Sequence, residues 1–298
     1  MPRVIDCIDA APCSLEECLA ALETSGFDPE DDASLHHAAR WLRRLSNNRD
    51  SLAERLLAEL QARHRDEPGV GSYGPQVVML SKLGGEFYMR ANIWPSRDEH
   101  AFRASGGGTF SYELPHDHNF SFLTLGYFGP GYWSDYWEYD FEAVAGAVGE
   151  KAGLRFVERS RLEPGKLTLY RAHRDVHSQL PPDALSVSLN VMHAGGAQGL
   201  LDQYTFDVGQ DAIAGVVGPG ASEIFLRLAV GLGGDEAMDL ADRFARSHPS
   251  DRMRLTALDA QAGVIDPVER EALWRRAEGS GNRLEARRRR ELLAAAWV

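Results

Sequence analysis

Residues 115–122 read Pro115-His116-Asp117-His118-Asn119-Phe120-Ser121-Phe122 and run on into Leu123-Thr124-Leu125-Gly126. On a β-strand alternate side chains share a face, so a strand over 116–126 points His116 and His118 the same way, with Phe120, Phe122 and Thr124 behind them. Asp117, Asn119 and Ser121 then face away. Two imidazoles so placed can grip one metal ion. A third, His177 in Asp175-Val176-His177-Ser178-Gln179, likewise precedes a strand-like run, Ser186 to Met192. This is the layout of a three-histidine metal centre at one end of an aromatic-lined cavity. Neutral imidazole suits Fe(II), Zn, Cu or Ni, and three such ligands leave coordination positions open. His173 competes for the third position, and His177 is the preferred choice.

Outward from this stretch, residues 76–207 consist of short alternating or β-branched runs broken by glycine and proline, the pattern of an antiparallel barrel or sandwich. Expected strands are 76–83, 86–94, 109–113, 116–126, 136–142, 154–159, 166–171, 185–192 and 203–207, with turns at Gly129-Pro130-Gly131 and Glu163-Pro164-Gly165. Along 86–94, Phe87, Met89, Ala91 and Ile93 make one face and Tyr88, Arg90, Asn92 and Trp94 the other. If the second face lines the cavity, Arg90 can hold a substrate carboxylate through paired hydrogen bonds; a surface ion pair is the alternative. Asp175 and Gln179 share the face of His177 and are candidates for substrate or ligand contacts. Glu138, flanked by Trp137 and Tyr139, can supply a carboxylate, with an exposed strand acid the preferred reading.

The flanks are helical in texture. Ser14-Leu15-Glu16-Glu17 has the form of a capping box, and apolar residues recur at helical spacing over 33–45 and 51–64, ending near Pro68-Gly69. After Gly218-Pro219-Gly220 helical periodicity returns, with breaks at 231–234, 248–249, 265–267 and 279–281. The expected division is an N-terminal helical segment over 1–75, a β-barrel domain over 76–215 and a C-terminal all-α region over 216–298. His36, His37 and His64 fall on N-terminal helices and read as surface or capping residues.

The 298 residues carry a formal net charge of -12, which argues against nucleic acid as a partner; the basic run Arg287 to Arg290 is flanked by Glu285 and Glu291 and reads as a solvated helix face. Cys7, Cys13 and Cys18 are odd in number and lack paired zinc spacing, so they read as free thiols of a reducing, cytoplasmic setting. No basic leader with an apolar stretch and no long apolar run is found, so neither export by a standard signal nor a membrane partner is expected.

His116-x-His118, then Pro164-Gly165, His177 and Asn190, resembles the two characteristic motifs of the cupins. The resemblance implies a small jelly-roll β-barrel, giving a mainly β fold class with helical flanks. The usual cupin glutamate beyond the second histidine is replaced by Phe122 and Leu123, which is similar to the three-histidine site of the cysteine dioxygenase-like thiol dioxygenases. Arg90 and Trp94 before His116, and Ser188-Leu189 after His177, also resemble that family. The resemblance covers roughly 76–207. It implies Fe(II) bound by His116, His118 and His177, with O2 and a small anionic substrate at the open positions; Ni, Mn or Zn are the other divalent candidates. Where that family has serine and tyrosine around its third histidine, this chain has Asp175 and Gln179.

The leading expectation is therefore a cytoplasmic, Fe(II)-dependent, O2-using oxidoreductase acting on a small polar substrate such as a thiol or amino-acid derivative. Tyr88, Arg90, Trp94, Phe120 and Asn190 are its expected substrate-binding residues, and Asp175 and Gln179 its expected catalytic ones. Two alternatives stand beside it: a cupin serving as a metal- or ligand-binding regulatory module, and a 2-oxoglutarate-dependent oxygenase using His173-x-Asp175. The helical regions offer surfaces for a homodimer.

Overall fold

The computed structural model describes residues 3–63, 76–195, 200–218, 220–278 and 281–288. His64, Pro68-Gly69 and the end of the basic run, Arg289 and Arg290, lie outside them. Strand β1 (Arg3–Val4) opens the chain, followed by helices α1 (Leu15–Ser25), α2 (Asp32–Ser46) and α3 (Asp50–Arg63). The Ser14 hydroxyl accepts from the Glu17 amide at 3.1 Å while the Glu17 carboxylate accepts from the Ser14 amide at 2.8 Å, so the capping box fixes where α1 starts.

Next come β2 (Val77–Met79), β3 (Phe87–Trp94), the short helix α4 (His100–Ser105), β4 (Phe122–Phe128), β5 (Tyr132–Glu138), β6 (Arg155–Leu162), β7 (Leu167–Tyr170), β8 (Asp175–Gln179), β9 (Ser186–His193), β10 (Tyr204–Asp207) and β11 (Ala212–Val216). They form antiparallel sheets: six strands in the order β1-β7-β4-β9-β3-β2, three in the order β6-β5-β8, and the hairpin β10-β11. The backbone departs from the strand pattern of the sequence at two places. Residues 109–113 are not a strand: Gly107–Phe110 form a turn of 3-10 helix, and Ser111 and Glu113 sit at φ of 55° and 58°, a left-handed backbone that no strand uses. Nor does the strand of the His-x-His stretch begin at His116. It begins at Phe122, and His116 instead makes isolated antiparallel bridges to His177 and to Thr205.

Alternation along the six-stranded sheet decides what each face does. Met89, Ala91, Leu123, Leu125, Leu167, Leu189 and Val191 point outward and are covered by Cys18, Leu22, Leu35, Ala38 and Leu42 of α1 and α2, making one continuous core. The N-terminal helices are thus the lid of that face, and β1 joins the same sheet. The opposite face turns inward: Phe122, Tyr170 and Met192 meet Tyr136 of β5, and Trp94 meets Tyr132. The β4–β5 turn needs glycine. Gly129 and Gly131 have φ of 75° and 77°, and a Cβ on either would collide with the carbonyl oxygen of Leu185 or of Leu162.

Helices α5 (Ala221–Leu232), α6 (Asp235–Ser247) and α7 (Asp251–Ala262) pack through Leu226, Val230, Ala241, Met253 and Ala257, and α8 (Pro267–Glu278) packs on α7 through Leu273 and Trp274 against Leu258 and Ala262. Arg252 ties them to the β region, reaching Asp202 at 3.0 Å and Glu223 at 2.9 Å. Among the described residues no helix is long and apolar enough to cross a membrane.

Candidate metal centre

His116 and His177 are set by the main chain. Each amide donates to the other's carbonyl, at 3.0 and 2.9 Å, and this reciprocal pair brings the two rings to 4.5 Å between centroids. His118 leaves the bridge by two residues, and its carbonyl accepts from the His173 amide at 2.8 Å. One nitrogen from each of the three imidazoles lies within 4.8 Å of the others, and all three residues are buried. The Nε2 atoms of His118 and His177 approach to 3.0 Å. Two such nitrogens at that distance repel unless a proton or a cation lies between them.

The other ring nitrogens are held from behind. His116 Nδ1 donates to the Leu114 carbonyl at 2.7 Å, which leaves its Nε2 as the lone-pair atom. The Gln179 amide nitrogen lies 3.1 Å from His177 Nδ1 and 3.4 Å from its Nε2, and the Gln203 amide nitrogen lies 3.4 Å from His118 Nδ1. With oxygen and nitrogen exchanged, either amide accepts a proton from Nδ1, the tautomer that frees Nε2. Burial holds His116 below the ordinary imidazole range and His118 and His177 well below it, which favours the neutral form that ligates metal.

Asp117 faces away from the cluster, as the alternation implies, yet it is fully buried. Its carboxylate accepts from the Tyr139 hydroxyl at 2.5 Å and the Tyr204 amide at 2.6 Å, so the residue between the two histidines pins this segment to β10. Burial pushes its pKa up to about 7 against these hydrogen bonds.

The cluster opens on a cavity of about 230 Å³. Arg90, Trp94, Phe122, Gln179 and Asn190 line it with the three histidines, and so do Asn92, Tyr132, Leu114, Gln203 and Val217. Among the described lining residues Arg90 is the cationic side chain, and none is Asp or Glu. Trp94 is fixed by donation from its Nε1 to Ser188 Oγ at 3.0 Å. Phe120 lies against His118, 4.9 Å between centroids, without lining the cavity. Tyr88 packs instead against the cluster of Phe122, Tyr136, Tyr170 and Met192.

Asp175 departs from its expected place beside His177. Its carboxylate accepts from the Arg171 amide at 2.8 Å and from the guanidinium at 3.0 and 2.5 Å, closing the β7–β8 turn, and it does not line the cavity. The reason is local: a carboxylate four residues beyond an arginine across a tight turn finds charge and backbone amide together. The same contacts remove the His173-x-Asp175 alternative, since His173 lies over Phe141 at 4.2 Å, away from the three-histidine cluster. Lining residues not singled out from sequence include Gln203, Tyr132, Leu114 and Val217, with Gln76, Val77 and Ser111 beside them. Gln203 and Val217 flank the β10–β11 hairpin, whose second strand is short and carries no clear period. Tyr132 follows the Gly-Pro-Gly turn in a run, Tyr132-Trp133-Ser134-Asp135, whose alternation is visible in the sequence.

His173 supplies a pH test independent of the metal. It is half-buried at a left-handed φ of 56°, and burial lowers its pKa to about 4. Unfolded, it takes a proton near pH 6.5. The folded protein therefore has its full benefit above pH 6.5 and loses it as pH falls toward 4. His173→Asn keeps a residue that accepts left-handed backbone and removes the titration. Urea unfolding from pH 7 to 4.5 is expected to show a shallower acid-side loss in the variant, by about 1 kcal/mol after allowance for partial solvent contact. Parallel curves would refute this.

Fold and site together define an antiparallel β protein whose interior holds three buried histidines able to take a metal ion. No family model matches the chain, and no curated protein matches it. Among solved structures it is similar to salicylate 1,2-dioxygenase from Pseudaminobacter salicylatoxidans, at 12% identity and a TM-score of 0.30 over 55% of this chain and 38% of that one. It is also similar to the DMSP lyase DddQ from Ruegeria pomeroyi DSS-3, at 9% identity and a TM-score of 0.27 over 66% of this chain and 78% of that one. A third similarity is to vicilin from Corylus avellana (hazelnut), at 10% identity and a TM-score of 0.21 over 51% of this chain and 42% of that one.

Proposed function

We propose that the protein is a cupin-type metalloenzyme that binds Fe(II) through His116, His118 and His177 and oxidises a small anionic substrate with O2. The observation that carries this reading is the junction of three buried imidazoles with a cavity in which the charged lining residue is Arg90. The donor set fits a divalent ion of borderline softness, and among the described lining residues no carboxylate competes for it. When bound, such an ion supplies an open coordination face on which O2 and an anionic ligand can meet.

The chain's own residues would do the rest. Arg90 holds the substrate's anionic group by charge-assisted hydrogen bonds and so fixes which end faces the histidines. Trp94, Phe122, Tyr132, Leu114 and Val217 restrict water, which strengthens that attraction. Gln179 and Gln203 hold the imidazole tautomers. Asn190 places its amide on the same wall, pairing in register with Arg90 across β3 and β9. Among the described lining residues the one charged side chain, Arg90, is a cation, so a substrate bearing a carboxylate or thiolate fits this cavity.

The test is anaerobic reconstitution with Fe(II), followed by O2 uptake with small thiols, amino acids and carboxylates. Uptake with an anionic member of the panel is expected, and Arg90→Gln should raise KM for it about 10- to 100-fold while metal content stays unchanged. Stoichiometric iron without uptake across the panel would instead favour a binding module.

A further inference from the structure

Helix α5 is apolar on both sides. Leu226 and Val230 face inward onto α7, while Ile224, Phe225, Leu228 and Leu232 are 69%, 66%, 56% and 77% exposed. A helix that is apolar all round is ordinarily covered all round. At roughly 100° per residue, Ile224, Leu228 and Leu232 form a stripe opposite Leu226 and Val230, with Phe225 and Gly231 on its two flanks. Arg227 is set to the side. If each of the four large side chains offers roughly 150–250 Å², the exposed stripe amounts to about 400–650 Å². That reaches the largest apolar patch ordinary monomers expose, and doubled it approaches the area of a standard specific interface.

Gly231 adds a second observation. It lies inside α5 without positive φ, and a Cβ there would meet nothing within 4 Å. It is the penultimate residue of α5, where glycine costs at most about 1 kcal/mol against alanine, and among the described residues nothing requires it. An antiparallel pair of α5 helices centred on Leu228 gives it a use. The two-fold axis sets Leu228 against its own copy, lays Phe225 beside Leu232 of the second copy, and brings Ile224 over the bare backbone of Gly231. The stripe is self-complementary, as an isologous interface must be.

The geometry points to this face of α5 as the interface of a homodimer, its occupant a second copy of this chain. Light scattering after size exclusion, at tens of micromolar full-length protein, is expected to give twice the chain mass. Leu228→Arg should give the single-chain mass with an unchanged circular dichroism spectrum. Leu228→Cys should form a disulfide-linked dimer under mild oxidation, because position 228 faces itself, while Val268→Cys, exposed on α8, should not. Gly231→Ile, which strengthens an isolated helix but fills the groove, should weaken the dimer at least tenfold. A wild type of single-chain mass overturns the proposal. Dimerisation only after removal of residues 289–298 would assign the face to the chain's own C-terminal segment, and sedimentation of the monomer with anionic lipid vesicles would assign it to a membrane surface. A dimer that survives Leu228→Arg and shows no preferred crosslink at 228 overturns it equally.

Discussion

His177→Ala, purified beside the wild type and analysed for iron, manganese, nickel and zinc, is expected to fall from about one metal per chain to under a tenth. The magnitude follows from where the imidazole sits. His177 is 1% exposed, and its Nε2 is one of the two nitrogens that meet at 3.0 Å, so alanine removes a ligand and opens a hole that no described side chain is placed to fill. Loss of supporting contacts behind a ligand commonly costs ten- to a hundredfold in metal affinity, and loss of the ligand itself should cost at least about a hundredfold. Asp175→Asn serves as the comparison. It sits two residues away on β8 and should keep its metal, because Asp175 contacts Arg171 and not the cluster. Equal metal content in His177→Ala and wild type would sink the three-histidine centre, and with it the proposed reaction.

Arg171→Met should destabilise the protein by about 3 kcal/mol in urea unfolding. The guanidinium is the main partner of Asp175, whose side chain is 0% exposed, and it also reaches Glu138 at 2.8 Å. Removing the cation leaves a buried carboxylate without its counter-charge, the most costly way to break an ion pair. Glu138 keeps Arg155 at 2.6 Å and suffers less. The double change Arg171→Met with Asp175→Leu should recover much of the loss, since removal of both charges leaves neither uncompensated. A catalytic Asp175 predicts the reverse pattern: near-normal stability in Asp175→Asn with activity abolished. The contrast separates a turn-closing ion pair from a reacting group without any knowledge of substrate.

The sequence made legible what depends on periodicity and spacing. Alternation over 86–94 separated Met89 and Ala91, which meet the helices, from Arg90, Asn92 and Trp94, which line the cavity. The distance from His-x-His to His177 announced a site built from two segments, and the structure brings those three residues together. Less visible was how His116 and His118 come to converge. A strand of alternating side chains would do it, but Pro115 and the Asp117-Asn119 pair favour irregular backbone, and the convergence comes from the bridge to His177 and the buried Asp117. The site residues with no sequence signal, Gln203 and Val217, belong to a hairpin far along the chain whose approach depends on long-range pairing. At Asp175 the shared strand face says where the side chain starts, while the Arg171 cation four residues away decides where it ends.

The reciprocal amide-carbonyl pair of His116 and His177 has a bearing on how the site is filled. Two of the three rings are anchored to rigid main chain, so the entropy of gathering them is settled when the protein folds and not when an ion arrives. His118 is held as firmly, through its own carbonyl and through neighbouring Asp117, which is tied to β10. One metal should therefore replace another without altering the sheets or the position of Arg90.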